Sequence, residues 1–159
     1  MKKKKSICLT AAAAAVLISG CVMNTGARVY DSDRAIASSS NSYNLSNYTG
    51  GQNGNTVSGT AEKLEGMDTV WRYEADEEKE VTMSWKLNVS SGKAKFVLID
   101  PDGELTTLAE CLAGEEGEQS SSGTFEIKQG ENRVKLVGAE NTSLEYEFTA
   151  DEGEVSSFG

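Results

Sequence analysis

Ser90 and Lys93 stand three residues apart, the spacing at which a lysine amine can activate a serine nucleophile when both sit at the start of a helix. Here the pair falls in Ser90-Ser91-Gly92-Lys93, a hairpin turn with no companion motif. Asp100, Asp102 and Glu104 place carboxylates at alternate positions, like a fragment of a calcium loop. Gly103 follows Asp102 at once, however, and no distal glutamate is in register as a bidentate ligand. Asp100-Pro101-Asp102-Gly103 is better turn chemistry, with proline at the second position and glycine at the fourth; weak cation binding is the alternative. Glu115, Glu116 and Glu118 read as a solvated loop. Cys111 has no basic neighbour in sequence to depress its pKa and reads as a small core residue. There is no histidine, which removes the commonest general base and metal ligand. The expectation is a chain without catalytic residues, metal site or cofactor.

Trp71 and Tyr73 are the one pair that suggests a ligand. Two residues apart, they share a strand face and could form a stacking platform for sugar rings. They could equally be core, and alternation alone does not say which face of that strand is buried.

Cys21 carries chemistry of another kind. Lys2 to Lys5 form a positive cluster, and about 12 apolar residues follow from Ile7 to Ile18, too few for the ~20 a membrane helix needs. Ile18, Ser19, Gly20 and Cys21 then resemble the lipobox of bacterial lipoproteins, an aliphatic residue and two small ones before a cysteine. The resemblance implies diacylglyceryl transfer to the Cys21 sulfur, cleavage before Cys21, and acylation of the new amine. Two acyl chains hold stably where one holds only reversibly. Residues 1–20 are thus expected to be a signal peptide, and the protein to sit on the extracytoplasmic face of the cell membrane through its lipid.

Export changes the charge. Removing the signal takes four of the 15 basic residues and no acidic one, so 11 face 25 acidic residues and the net charge moves from −10 to −14. Such acidity repels phosphates, so nucleic acid is not an expected partner. Of three cysteines, Cys8 leaves with the signal and Cys21 is lipidated, so Cys111 stands alone and a hydrophobic core must hold the domain.

Residues 21–56 are rich in Ser, Asn, Gly and Thr and short of apolar area, which predicts a flexible tether. Some 36 such residues span roughly 35 Å, enough to lift a domain off the bilayer. Tyr30, Tyr43 and Tyr48 read as scattered linker tyrosines. In residues 57–159 the period becomes two. Val81, Met83, Trp85, Leu87 and Val89 alternate with Thr82, Ser84, Lys86 and Asn88, a half-buried strand. Ala94, Phe96 and Leu98 follow on one face, with Val97 and Ile99 on the other, so that strand's far end is expected to be covered on both sides. Leu105 to Cys111, Phe125 with Ile127, Val134 with Leu136, and Leu144 to Phe148 complete seven or eight short strands. They predict an all-β, two-sheet antiparallel sandwich with Trp85 and Phe96 near the middle of its core.

Phe125 to Leu136 and the strand after them, with the Gln129-Gly130-Glu131-Asn132 turn, resemble the closing strands of carbohydrate-binding jelly-roll modules. The resemblance implies a jelly-roll fold. The function expected from sequence is therefore a membrane-anchored, non-catalytic interaction module with an envelope protein as partner, or alternatively a carbohydrate-binding lipoprotein with a glycan as partner.

Overall fold

The computed structural model describes residues 25–114 and 119–158. The expected signal peptide over residues 1–20, Cys21 and the glutamates at 115, 116 and 118 lie outside the described residues.

Two long strands organise the chain. β2 (Thr56–Ala75) and β7 (Gly130–Ala150) pair antiparallel from Thr56↔Thr149 to Ala75↔Gly130. At 20 and 21 residues they far exceed the usual ~5–6, and they do not run straight. Register breaks occur between Ala61 and Leu64, Leu64 and Gly66, and Thr69 and Trp71. Such bulges bend a strand and let it pass from one sheet to another. At the corner Gly66 faces Gly138 across the ladder. Gly66 has φ +115°, and a Cβ there would collide with the Ser42 carbonyl.

On one side of the corner β7 is flanked by β3 (Lys79–Ser91), and β3 by β6 (Gln119–Ile127). With β2 and β1 (Ser42–Asn53) they form sheet I, in the order β1-β2-β7-β3-β6. On the other side β7 pairs with β4 (Lys93–Ile99), and β4 with β5 (Leu105–Leu112), making sheet II. A short β8 (Glu154–Val155) adds to β2 there. The two sheets close on one core: Phe96 of sheet II lies 5.5 Å from Phe148 and 6.3 Å from Tyr146 of sheet I, ring centre to ring centre. Val81, Met83, Trp85, Leu87 and Val89 all point into it, as their alternation predicts. So does Cys111. This is the expected all-β two-sheet antiparallel sandwich, with eight strands among the described residues.

The outer face of sheet II is covered as well. α1 (Thr25–Tyr30) and α2 (Asp33–Ala37), with residues 38–41, form a strap across it. Tyr30 and Ile36 pack with Met67, Val97, Ile99 and Val137 in a second small core, which is why the end of β4 is buried on both faces. The expected flexible tether over 21–56 is therefore corrected: within it, residues 25–53 carry two helical turns and a strand, and position 57 falls inside β2. Two cations explain the difference. The Arg133 guanidinium donates to the Ala37 and Ser38 carbonyls, each at 2.9 Å, and Lys135 Nζ donates to Ser38 and Ser40 at 2.7 and 2.8 Å. Charge-assisted bonds from buried side chains order a segment whose own apolar content would not. Its tyrosines are structural too: the Tyr30 hydroxyl donates to Glu110 at 2.6 Å, and Tyr43 and Tyr48 stack edge-on against Phe158.

Candidate functional site

Alternation along sheet I sends every second side chain outward. Opposite the core residues of β3 stand Thr82, Ser84, Lys86 and Asn88; opposite Leu144, Tyr146 and Phe148 of β7 stand Glu145, Glu147 and Thr149. The ladder registers turn these into rows. Ser58, Glu147, Lys86 and Ser120 lie side by side across β2, β7, β3 and β6, and Thr60, Glu145 and Asn88 form the next row. Thr56, Thr149, Ser84 and Ser122 form a third.

Three hollows follow these rows. The largest, about 550 Å³, lies over β1, β2 and β7 between Gly51, Ser58, Lys86 and Glu145. It shares Thr60 and Glu145 with a second of about 430 Å³ at Asn47 and Asn88. Through Lys86 and Glu147 it adjoins a third of about 290 Å³ at Ser84 and Ser122. Together they make one polar trough across all five strands. Lys86 Nζ stands 3.7 Å from Glu147, the Thr56 and Thr149 hydroxyls are 2.8 Å apart, and Asn47 donates to Glu62 at 2.6 Å. Hydroxyls, amides and carboxylates with one central cation can exchange many hydrogen bonds with a polar ligand.

The residues singled out from sequence lie elsewhere and do not come together. Trp71 is fully buried, its indole N–H donating to the Glu152 carbonyl at 2.7 Å, and Tyr73 is half-buried with its hydroxyl donating to the Glu152 carboxylate at 2.9 Å. Their ring centres are 6.1 Å apart, facing the core. The proposed two-ring stacking platform is thus corrected at Trp71, because a ring with no exposed face cannot meet a sugar, and half-buried Tyr73 is left without its partner. Lys79 completes this cluster, and with Tyr73 it holds the Glu152 carboxyl below its ordinary pKa. Ser90 and Lys93 are not partners: the Ser90 hydroxyl donates to Ser143, whereas Lys93 Nζ sits 4.1 Å over the Tyr30 ring and 3.5 Å from Asp31.

The Asp100 turn holds a cation of its own. Lys128 Nζ is 2.6 Å from Asp100, 2.8 Å from Asp102 and 3.9 Å from Glu104. Asp100 also accepts the backbone N–H groups of Asp102 and Glu104 at 2.9 and 2.8 Å. Partial burial pushes the Asp100 carboxyl up, but the bonds from Lys128 and from the turn's backbone outweigh it and leave its pKa low. Among the described residues no group of three or more His, Cys, Asp or Glu is arranged to hold a metal ion, and no helix is long and apolar enough to cross a membrane.

The alternation that located the trough's strands also marked its outward residues. What sequence did not supply was the pairing of β7 with β2 and β3, which brings Glu147 between Ser58 and Lys86 and Glu145 between Thr60 and Asn88.

No family description matches this sequence, and no curated protein matches it. Several solved structures of sandwich domains resemble it. One is a family 29 carbohydrate-binding module complexed with mannohexaose, with 9% identity over 69% of this chain and 80% of that one, at a TM-score of 0.41. A family 4 module shows 14% identity over 72% and 77%, at 0.40. A family 6 module from Cellvibrio mixtus lichenase 5A, in complex with cellotriose, shows 8% identity over 73% and 89%, at 0.37. At these values the likeness carries nothing about the ligand of this chain.

Proposed function

We propose that this chain is an extracytoplasmic lipoprotein, held on the cell membrane through Cys21, whose sandwich is a non-catalytic binding module for a neutral, hydroxyl-rich glycan. The observation that carries the binding reading is the continuity of the polar trough across sheet I. A protein partner fits it less well. Protein interfaces draw most of their energy from buried aromatic, aliphatic and arginine anchors. Among the described residues the one exposed large hydrophobic is Leu112, on β5 of the other sheet.

A polyhydroxyl chain needs no such anchor. Each hydrogen bond contributes a net ~0.5–1.5 kcal/mol, so several along the trough support a modest, readily reversible affinity. Glu145 and Glu147 at its centre disfavour an anionic polymer. The lysine cluster, the apolar run and Ile18-Ser19-Gly20-Cys21 support the anchoring reading.

Affinity electrophoresis through soluble neutral polysaccharides tests the binding. Retention is expected for the native domain and lost in a variant combining Lys86→Ala, Asn88→Ala and Glu147→Gln with unchanged melting. Retention that survives all three changes, or none on any neutral glycan, overturns the reading. For the anchor, Cys21→Ala is expected to move the protein from the membrane to the soluble fraction.

A further inference from the structure

The strap changes what the proposed anchor can do. Between Cys21 and the first helical residue, Thr25, the chain advances only four positions. Fully extended at ~3.6 Å per residue, that is at most about 14 Å, against the roughly 35 Å of a freely flexible tether of about 36 residues. From Tyr30 onward the chain is committed to the fold, buried at Tyr30 and Ile36 and clamped at Ala37, Ser38 and Ser40 by Arg133 and Lys135. α1 packs on β2 and β7, on the outer face of sheet II. A lipid at Cys21 thus joins the domain on that side.

The trough lies on the outer face of the opposite sheet, across the full thickness of the sandwich, whose sheets pack ~10 Å apart. Charge does not separate the two sides: the strap carries Asp31 and Asp33 beside Arg28 and Arg34, Arg133 and Lys135 beneath it are buried, and the trough side carries Glu62, Glu145 and Glu147 with Lys86. The side is set by the short link from Cys21 to the strap.

We infer that the lipidated protein lies directly on the bilayer in one orientation, with the strap-covered face of sheet II toward the headgroups and the polar trough of sheet I facing away. The inference rests on the anchoring reading above and adds to it that the domain is oriented rather than freely tumbling on a stalk. Ligand then reaches the trough from outside, without having to enter the space between domain and membrane.

Energy transfer to the membrane surface tests it. The full lipidated chain, labelled through Ser39→Cys on the strap or Ser122→Cys in the trough, is placed in phosphatidylcholine–phosphatidylglycerol vesicles with an acceptor dye on a minor headgroup. Transfer is expected to be severalfold greater from position 39 than from 122. A flexible spacer of ~30 Gly/Ser residues between Asn24 and Thr25 should bring the two toward equality, since a span of roughly 30 Å lets the domain turn on its link. Equal transfer without the spacer, or greater transfer from 122, overturns the orientation while leaving the anchor intact. Failure of the native chain, like Cys21→Ala, to float with vesicles removes the anchor and the orientation with it.

Discussion

Lys135 Nζ donates to the Ser38 carbonyl at 2.7 Å, and the two residues are 97 positions apart in the chain. The bond is formed by a lysine with no solvent exposure, on a strand that the strap covers. Neighbouring Arg133 makes the same kind of bond to Ala37 and Ser38, and its Nε lies 3.2 Å from Glu131 without hydrogen-bond alignment. These two cations make the N-terminal segment part of the domain.

Removal of residues 25–41 should therefore prevent folding. It strips Tyr30 and Ile36 from Met67, Val97, Ile99 and Val137, exposing that second core to water, and it takes the carbonyl acceptors from Arg133 and Lys135. At about 1.5–3 kcal/mol per large buried apolar side chain the loss is much of the stability of a small domain. A chain beginning at Ser42 should aggregate or melt without a cooperative transition by circular dichroism, whereas one beginning at Thr25 should melt cooperatively.

Stability should rise with pH in the alkaline range. Burial, with the Arg133 and Arg72 charges adding to it and Asp68 opposing it, pushes the Lys135 pKa down from 10.5 to about 8. Below that value both folded and unfolded chains hold the proton and no slope arises. Above it the unfolded chain holds more protons than the folded one, so stability increases up to the ordinary lysine pKa. Tyr30 and Tyr146 have raised pKa values, chiefly from burial, and act in the opposite sense near their ordinary value of 10.0. The useful window is thus about pH 8 to 9.5, where a gain of about 1–2 kcal/mol is expected in urea melts. Lys135→Met should abolish the slope; a slope that persists in that variant assigns it to another group.

The Phe96 ring is fully buried and bridges the two sheets. Phe96→Ala should lower the unfolding free energy by about 3–5 kcal/mol in urea titrations, and Phe96→Leu by clearly less. A loss under about 1 kcal/mol for the alanine would show that the sheets do not meet there.

Phe96 also marks how far sequence could reach. Its alternation with Ala94 and Leu98, like that of Val81 to Val89, identifies core because a half-buried strand writes its face directly into residue order. The bent strands were less visible. Val134 with Leu136 and Leu144 to Phe148 read as two elements but belong to β7, since the backbone continues through the irregular stretch around Asn141, whose φ is +55°. The strap was hidden for a different reason: its order comes from Arg133 and Lys135, cations supplied from far along the chain. For Trp71 and Tyr73 the shared face was legible, but which side it buried depended on the turn at Glu152 that receives their polar atoms.

Calcium should not stabilise the native domain. The Lys128 ammonium stands between the Asp100 and Asp102 carboxylates, where a bound cation would have to sit, and their hydrogen bonds raise its pKa. A divalent ion could enter only by expelling it, into a turn with too few oxygens for the six to eight that calcium takes. Melting temperature should stay constant to millimolar calcium. Any ion that binds only the native state must raise it, so an upward shift would refute the self-neutralised turn. Lys128→Ala supplies the converse. It leaves Asp100, Asp102 and Glu104 facing one another, so the variant should melt lower without calcium and recover part of the loss when calcium screens them.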